Sequence, residues 1–312
     1  MSVEEELARS SPRKNTLLTV GVFDGVHLGH KYLLSQLAER ARQENCLSGV
    51  VTFSQHPQEV LSPQAELLYL TDLPKRIGLL KDEGVDTIAT LTFTSELARL
   101  TTHQFIGLLQ KHLKMCGLVI GPDFALGKDR EGNIATLSHL GAEMGFNVTT
   151  VPPLVISGEV VSSTAIRKAL AGGDMKRVRR MTGRHFSLHG SVTSGVGRGK
   201  ELGFPTANLD IDSQQALPPD GVYATRAYIG DKAYPSVTNI GQRPTFGSGQ
   251  RTVEVHIPGH HGDLYQQALR IDIVARLRNE QQFGSAGELK EQIARDIEQG
   301  KTILIEVTAG EK

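Results

Sequence analysis

Cysteine and aromatic residues are scarce in this sequence. Its 312 residues include two cysteines, Cys46 and Cys116, no tryptophan, and only 5% aromatic residues. Two thiols cannot build the disulfide framework of a small secreted protein, and their separation in sequence fits neither a metal-ligand motif nor a redox motif. The cysteine usage therefore favours a reducing compartment.

An excess of charge of one sign is also missing. The chain has 34 basic and 34 acidic side chains, so its formal net charge is zero. This balance excludes the general attraction to nucleic acids or anionic membranes that a strongly basic protein has. No apolar run is long enough to span a membrane, and the polar first residues, MSVEEELARSSPRKN, lack the apolar core of a secretory signal. We expect a cytoplasmic protein with no nucleic-acid or membrane partner, and self-association is left open.

The composition that remains is that of a globular protein. The hydrophobic fraction is 39% and the charged fraction is 22%, which are ordinary values for soluble domains. The chain is longer than the usual single domain, so two domains are expected, each with its own core. The residue pattern changes near residue 185, which predicts domains at 1–185 and 186–312.

The first half alternates between strand-like and helix-like segments. Short apolar runs predict the strands, and apolar residues repeating every three or four positions predict the helices. The strands are predicted at 17–22, 50–53, 87–93 and 118–120, and the helices at 33–41, 73–83 and 105–113. This alternation indicates an α/β domain of the Rossmann-like type, with a parallel sheet whose ligands bind beyond the carboxyl ends of the strands.

The second half is dominated by strands that glycine and proline separate. Strands are predicted at 191–194, 221–229, 233–240, 252–257 and 269–277. The last of these places Leu269, Ile271, Ile273, Ala275 and Leu277 at alternate positions on one face, as a half-buried antiparallel strand does. One helix follows, opened by a capping box at Ser285 and Glu288 and carrying Leu289, Ile293 and Ile297 on one side. The pattern predicts an all-β, barrel-like domain with a terminal helix.

The most informative stretch is GVFDGVHLGH, residues 21–30, at the junction of a predicted strand and a predicted helix. The amino end of a helix binds anions because its N–H groups are unpaired and its dipole is positive there. Gly25 and Gly29 permit close approach of a ligand to the backbone. His27 and His30 can both donate to phosphate oxygens and stabilise charge during phosphoryl transfer. The alternative is a glycine-rich turn with two ordinary histidines.

A second candidate phosphate site lies at VSSTAIR, residues 161–167. Ser162, Ser163 or Thr164 would cap the helix predicted to begin there, and Arg167 lies one turn further on, where its guanidinium can bind phosphate. A plain helix cap with a solvated arginine is the alternative for this segment alone.

These two stretches, together with TFSQHP at 52–57 and GPDFALG at 121–127, resemble the FMN adenylyltransferase module of bacterial bifunctional riboflavin kinase/FAD synthetases, within the nucleotidylyltransferase superfamily. The resemblance implies that residues of the first half hold the phosphates of ATP; these are His27, His30, Ser163, Thr164 and Arg167.

Three further residues are flavin-binding candidates by the same resemblance: His56, Asp123 and Phe124. The family usually has Pro-His-Pro where this chain has Gln55-His56-Pro57. The histidine is retained, but the fixed backbone that a proline at position 55 would supply is missing. Phe124 is equally well interpreted as a packing residue in a turn.

The second half contains GVGRGKELGFPTAN, residues 195–208, and has neither a Walker A sequence nor a protein-kinase signature. Gly197, Arg198 and Gly199 are interpreted as a cover over phosphates, with N–H groups turned inward. Thr206 and Asn208 supply oxygen ligands of the hard type that Mg²⁺ accepts. Turn chemistry is the alternative.

The strand predicted at 252–257 carries a candidate general base. Val253, Val255 and Ile257 alternate onto one face, which leaves Glu254 on the other face. A carboxylate there could accept the proton of a hydroxyl that attacks a phosphoryl group. A solvated surface glutamate is the alternative. Glu280 is a second carboxylate in a conspicuous stretch, and its role is interpreted as structural.

Residues 195–208, with GVYA at 221–224, NIGQRPTF at 239–246, TVEVH at 252–256, DLY at 263–265 and LRNEQQF at 277–283, resemble the riboflavin kinase domain of the same bifunctional family. This resemblance implies that Glu254 is catalytic and that Thr206 and Asn208 bind Mg²⁺ and ATP. The whole resemblance runs from about residue 17 to residue 305. It implies ATP as co-substrate, Mg²⁺ as cofactor, and riboflavin and FMN as substrates.

Two other functions remain open at this stage. One is a nucleotidylyltransferase with a different phosphate acceptor, which the motifs of the second half disfavour. The other is a flavin-binding regulator with reduced catalysis, whose motif residues would be eroded. Gln55 is the only motif substitution found in the sequence.

Overall fold

Two units, Met1–Ser163 and Thr164–Lys312, make up the chain. The structure is a computed structural model, and it describes residues 1–62, 64, 67–195, 198–242 and 251–310. The domain boundary expected from the sequence, between residues 185 and 186, stays a prediction.

The first unit is built around a parallel five-stranded sheet with strand order β3-β2-β1-β4-β5. The strands are β1 (Thr16–Val20), β2 (Leu47–Phe53), β3 (Thr87–Leu91), β4 (Met115–Ile120) and β5 (Asn147–Thr150). The helices are α1 (Val3–Ala8), α2 (Leu28–Gln43), α3 (Pro57–Leu61), α4 (Leu73–Asp82), α5 (Ser95–Ala98), α6 (Thr102–Leu113) and α7 (Ile134–Met144). The predicted α/β class with a parallel sheet is confirmed.

The order of the strands determines where a ligand can bind. All five residues of β1 are buried, because helices cover both faces of a parallel sheet. The chain proceeds from β1 to β2 on one side, and later returns to β4 on the other side of β1. The carboxyl ends of β1 and β4 therefore flank the point where the strand order reverses, which is the usual binding crevice of such sheets.

A short hairpin and two helices follow the sheet. The hairpin pairs β6 (Val155–Ile156) with β7 (Glu159–Val160), and the helices are α8 (Ser163–Ala171) and α9 (Met175–Thr182). Helix α9 packs against strands of the second unit, β8 (Phe186–Thr193) and β13 (Ala268–Arg278).

The second unit contains a closed antiparallel barrel with strand order β10-β11-β12-β9-β8-β13. Its other strands are β9 (Thr206–Asp210), β10 (Gly221–Ile229), β11 (Lys232–Gln242) and β12 (Arg251–His256); helix α10 (Arg198–Glu201) precedes β9 and helix α11 (Ala286–Gly310) ends the described chain. The predicted barrel-like domain with a terminal helix is confirmed.

Helix α11 covers one side of this barrel. Ile297 packs with Val222 and Val237, and Leu304 packs with Ala224 and Val274. The predicted capping box is only half formed: the Ser285 hydroxyl accepts from the N–H of Glu288, whereas the Glu288 carboxylate accepts from the N–H of Gly284 rather than of Ser285. The cap therefore extends one residue further than the motif predicts.

The two cysteines, 70 residues apart in sequence, lie side by side in the first unit. Both are free thiols, and their Sγ atoms are 3.4 Å apart. Cys116 is the extra residue of an irregularity between β1 and β4, where Thr16 pairs with Met115 but Leu17 pairs with Gly117. Burial, and then the neighbouring Cys46, raise the pKa of the Cys116 thiol to about 12. Sequence spacing cannot reveal such a contact, because a strand irregularity creates it.

Among the described residues, no helix has the length and hydropathy needed to cross a membrane.

Candidate active sites

The loop between β1 and α2, residues 21–27, has an unusual backbone. Phe23, Gly25 and Val26 have φ angles of 55°, 81° and 34°, in a region that side-chain-bearing residues rarely adopt. The side chains of Phe23 and Val26 are buried, 4% and 0% exposed. A loop of this kind persists only where its surroundings hold it in place. We call it the nucleotide loop.

His27 and His30 meet at the amino end of α2. His27 is the N-cap of the helix, and its Nδ1 accepts a hydrogen bond of 3.2 Å from the backbone N–H of His30. The two rings are stacked with their centroids 3.6 Å apart. The loop thus places two imidazoles beside the positive end of a helix dipole, where an anion is stabilised.

Glycine is required where the chain approaches this helix end. A Cβ at Gly29 would lie 2.8 Å from the carbonyl oxygen of Val161. A Cβ at Gly25 would lie 3.0 Å from Leu70, at a φ of +81°. These two glycines of the motif therefore permit close packing against neighbouring segments. Approach of a ligand at these positions stays a prediction.

The second phosphate motif reaches the nucleotide loop through Ser163. The Ser163 hydroxyl donates to the backbone carbonyl of Asp24 at 2.9 Å. Helix α8 begins at Ser163, and Thr164 and Arg167 follow on its first turns. The structure thus brings Ser163 into contact with the nucleotide loop.

The loop after β2 carries the predicted flavin candidate His56. This residue is the N-cap of α3, and its Nδ1 accepts from the N–H of Gln58 at 3.1 Å. Gln55, which replaces the family's proline, donates from its side-chain amide to the carbonyl of Phe93 at 2.9 Å. This hydrogen bond anchors the loop to the segment after β3 and so supplies a restraint of another kind. We call residues 54–57 the flavin loop.

Asp123 and Phe124 follow β4 at the same edge of the sheet. Asp123 is exposed, and its carbonyl accepts from the guanidinium of Arg130 at 3.2 Å. Phe124 is partly buried and packs against the core of the unit. Its packing role is therefore visible, and the part of its ring that stays accessible is what a flavin could contact.

In the second unit the predicted residues lie on neighbouring strands of the barrel. Asn208 of β9 pairs with Glu254 of β12, and Glu254 pairs on its other side with Asn239 of β11. Thr206 pairs with His256 in the next row. Val253 and Val255 are buried at 1% exposure, whereas Glu254 and His256 are half-buried. The predicted orientation of Glu254 away from the barrel core is confirmed. We call the paired residues Thr206, Asn208, Asn239, Glu254 and His256 the polar face.

A second carboxylate extends this polar face. The side chain of Asn239 donates to Glu280, whose pKa is raised by burial and then by the nearby charge of Asp220. A Cβ at Gly241 would overlap the Glu280 carboxylate, so the glycine leaves room for it. Glu280 was interpreted from sequence as structural. Its contact with Asn239 places it beside the row that contains Glu254.

The glycine-rich stretch before β9 approaches both predicted metal ligands. A Cβ at Gly195 would overlap the side-chain amide of Asn208, and a Cβ at Gly199 would lie 2.5 Å from the carbonyl of Phe204 and 3.2 Å from the Thr206 hydroxyl. The stretch therefore packs directly against both predicted metal ligands, and its role as a cover over phosphates stays a prediction. Gly197 and the side chain of Arg198 lie outside the described residues.

A cavity of about 240 Å³ adjoins the polar face at one end of the barrel. Its lining includes Thr206, Val255, His260, Asp263, Leu264 and Tyr265. The Nε2 atom of His260 is buried and has no hydrogen-bond partner among the described residues. The lining combines apolar side chains with the polar groups of Thr206 and Asp263, as sites for small organic ligands do.

Comparison with known proteins assigns both halves of the chain to one family. A FAD synthetase family model matches residues 9–165, and a riboflavin kinase model matches residues 182–304. The curated bifunctional riboflavin kinase/FMN adenylyltransferase of Escherichia coli (strain K12) is 38% identical over 92% of both chains. Its counterpart in Bacillus subtilis (strain 168) is 33% identical over 94% of this chain and 92% of its own length.

This chain belongs to the bifunctional riboflavin kinase/FMN adenylyltransferase family.

It is therefore a bifunctional enzyme, with a FAD synthetase domain in its first half and a riboflavin kinase domain in its second half. Its fold is also similar to a crystal structure from Streptococcus pneumoniae that is described as a macrolide-efflux protein, with a TM-score of 0.86 and 29% identity. The similarity covers 94% of this chain and 96% of that chain. The description belongs to that protein, and what the likeness supplies here is the fold.

Sequence reasoning did not find three residues that the structure adds to these family sites. Asn239 lies at an outward position of its strand, between buried Thr238 and Ile240, so alternation could have indicated it. Asp24 and Tyr69 offered no such signal, because their partners lie 10 to 47 residues away in sequence.

Proposed function

We propose that this enzyme phosphorylates riboflavin to FMN in its second half and adenylylates FMN to FAD in its first half, with ATP as the donor in both reactions. The observation that carries the proposal is the presence of both family domains, each with a polar site at the position that its motifs predicted. We propose residues 1–185 and 186–312 as the two catalytic domains, which the matches to 9–165 and 182–304 support.

In the kinase reaction, the ribityl 5′-hydroxyl of riboflavin attacks the γ-phosphorus of ATP. The new O–P bond forms as the bond from the γ-phosphorus to the bridging oxygen breaks, and ADP leaves. Glu254 accepts the hydroxyl proton, since it is a half-buried carboxylate at the centre of the polar face. Asn239 holds Glu280 beside it. The stretch from Gly195 to Gly199 covers the phosphates, and this role extends to Gly197 and Arg198.

The polar face also fits a magnesium ion. Its oxygen donors are the side chains of Thr206 and Asn208, with the carboxylate of Glu254 paired to Asn208 in register. No cluster of three His, Cys, Asp or Glu side chains suited to a metal occurs in the described ranges, and Mg²⁺ characteristically needs only one or two protein ligands when phosphates and water supply the rest. When bound, the ion would neutralise charge on the phosphates.

The cavity beside Thr206 is proposed to receive the base of the nucleotide. Its volume of about 240 Å³ and its mixed polar and apolar lining suit a flat heteroaromatic ring, and Thr206 belongs both to this lining and to the polar face.

In the adenylylation reaction, a phosphate oxygen of FMN attacks the α-phosphorus of ATP. The bond between the α-phosphorus and the bridging oxygen breaks, and pyrophosphate leaves. His27 and His30, at the amino end of α2, stabilise the charge on the phosphates together with Ser163, Thr164 and Arg167. His56, Asp123 and Phe124 are proposed to contact the flavin. The nucleophile is already a phosphate, so no covalent enzyme intermediate is required.

A cytoplasmic location is part of the proposal. It is supported by the scarcity of cysteine, since the 312 residues include only Cys46 and Cys116. Two such thiols are expected to persist in a reducing compartment.

The test is incubation of the purified protein with riboflavin, ATP and MgCl₂, followed by chromatography of the flavins. We expect FMN to appear first and FAD to follow, and we expect EDTA to stop both reactions. Riboflavin that is bound but unchanged would instead support the flavin-binding regulator. FMN formation without FAD would restrict the proposal to the kinase domain.

A further inference from the structure

One short segment contacts both of the loops that the adenylylation reaction uses. Residues Tyr69–Arg76 form hydrogen bonds to both the flavin loop and the nucleotide loop, and they include the start of α4. We call this segment the brace. None of its residues belongs to a motif that predicted the site.

The middle of the brace binds the nucleotide loop through Asp24. The Asp24 side chain is 2% exposed, and its carboxylate accepts from the N–H groups of Leu70 and Thr71, each at 3.0 Å. The Thr71 hydroxyl donates to the same carboxylate at 3.3 Å and accepts from the N–H of Gly25 at 3.0 Å. A buried carboxylate is stable only with such partners.

The end of the brace contacts the chain where both loops begin, through Arg76. This guanidinium is 1% exposed and donates to the carbonyl of Val22 at 2.7 Å and to that of Phe53 at 3.1 Å. Val22 is the second residue of the nucleotide loop, and Phe53 immediately precedes the flavin loop. Burial lowers the pKa of Arg76, and the nearby Asp24 charge opposes this effect.

The start of the brace binds the flavin loop through Tyr69. Its hydroxyl donates to the carboxylate of Glu59 and accepts from the N–H of His56 at 2.5 Å. Burial, followed by the hydrogen bond to Glu59, raises the pKa of Tyr69 to about 12. The phenol therefore keeps its proton at neutral pH, so the donation to Glu59 persists.

These contacts explain how a strained loop keeps its shape. The positive φ angles of Phe23 and Val26 are unfavourable for residues with side chains, so surrounding contacts must impose them. Asp24 lies between these two residues and is held from three directions by the brace. Release of the Asp24 contacts would let the loop relax, and His27 would lose its alignment with the helix end.

We propose that the brace is a positioning element for both substrates of the adenylylation reaction, acting on the nucleotide through Thr71 and Asp24 and on the flavin through Tyr69. The proposal rests on the proposed function of the first half. The brace residues are positioning residues, since they act through the two loops.

The experiment compares Thr71→Val and Tyr69→Phe in the full-length enzyme, with FMN and ATP as substrates and FAD formation as the readout. Loss of one buried hydrogen bond corresponds to about a three- to tenfold change in affinity. We expect Thr71→Val to raise the KM for ATP by about that factor with little change in the KM for FMN. Tyr69→Phe should raise the KM for FMN and leave the KM for ATP nearly unchanged.

Three controls make the result decisive. Thr16→Val removes another buried hydroxyl, bonded to the Leu113 carbonyl at the opposite end of β1, and should change neither KM. Thr71→Ser keeps a hydroxyl and should restore the KM for ATP. Thermal unfolding followed by circular dichroism reports whether the first unit, which carries both substitutions, has folded in each variant.

The possible results separate the two proposals. If the wild-type enzyme makes no FAD from FMN, the proposed function fails. If the wild type makes FAD but both variants change the two KM values equally, or no more than Thr16→Val does, the brace has only a structural role and the inference is wrong. A Thr71→Val protein whose first unit fails to fold would transfer the decision to Tyr69→Phe alone.

Discussion

The nucleotide loop of the first unit and the polar face of the barrel solve the same problem in different ways. The loop has three residues with positive φ and is held by side chains as distant in sequence as Thr71 and Arg76. The polar face lies on regular strands, where pairing alone sets Asn208, Glu254 and Asn239 in one row. A loop site depends on the contacts behind it, whereas a strand site depends mainly on its own side chains.

This difference predicts different consequences of mutation. Removal of a reacting group from the polar face should abolish turnover and leave the fold intact, because β-pairing uses backbone atoms. Removal of a contact behind the nucleotide loop should instead shift substrate affinity. The predictions below test this contrast, from the largest expected effect to the smallest.

Glu254→Ala is expected to have the largest effect. FMN formation should fall by roughly 10²- to 10⁴-fold, because the general base is lost. Conversion of added FMN to FAD should stay close to the wild-type rate. Both rates are measured by chromatography of the flavins, and Glu254→Gln serves as a control of the same shape. An unchanged rate of riboflavin phosphorylation would remove Glu254 as the base.

His30→Ala should have the opposite selectivity. FAD formation should fall by roughly 10²-fold, because one donor to the phosphates is lost, and riboflavin phosphorylation should persist. The backbone N–H of residue 30, which donates to Nδ1 of His27, remains in this variant. The helix cap is therefore preserved. Equal loss of both activities would argue against separate sites.

Gly195→Ala tests the glycine-rich cover of the polar face. The new methyl group would overlap the amide of Asn208 and displace a predicted metal ligand. We expect kinase activity to fall by about ten- to a hundredfold. Gly287→Ala is the matched control, since its methyl group would meet only the Ser285 hydroxyl at 3.8 Å. Equal activity of the two variants would contradict the close approach.

The smallest effect concerns the stability of the brace at high pH. The Tyr69 phenol has a pKa of about 12 in the folded protein, against about 10 in the unfolded chain. Its protonated form is therefore stabilised by folding, and this contribution is complete below pH 10 and is lost as the pH rises towards 12. The free energy of unfolding of the wild type should decrease more between pH 9 and pH 11.5 than that of Tyr69→Phe.

Urea denaturation followed by circular dichroism measures this difference. Other groups that titrate at high pH contribute equally to the free energy of unfolding of both proteins, so their contribution is removed by the comparison. Parallel decreases in the two proteins would mean that Tyr69 is not held as described.

The fold could be predicted from local patterns in most regions. Periodicity predicts the strands and helices of the sheet because each element buries one set of side chains. Strand β9 was missed, since Pro205 and the mixed residues Thr206–Asp210 have the composition of a turn. Helices α7 and α9 and strand β5 were not predicted either, and the half-buried pattern of β5 explains its weak signal.

The sites could be predicted only as far as their motifs extend. The histidines, the glycines and the outward face of Glu254 follow from short stretches of sequence. The Asp24–Thr71 contact and the cysteine pair do not, because residues 47 and 70 positions apart meet only once the sheet has formed. The roles of the motif residues remain predictions until the variants are measured.

The most direct test of the account mixes the two variants Glu254→Ala and His30→Ala in equal amounts with riboflavin and Mg·ATP. Alone, the first should make FAD only from added FMN, and the second should stop at FMN. Together they should make FAD from riboflavin, because FMN released by one variant can be adenylylated by the other. A mixture that makes no FAD, or single variants that lose the same activity, would contradict two separate sites in one chain.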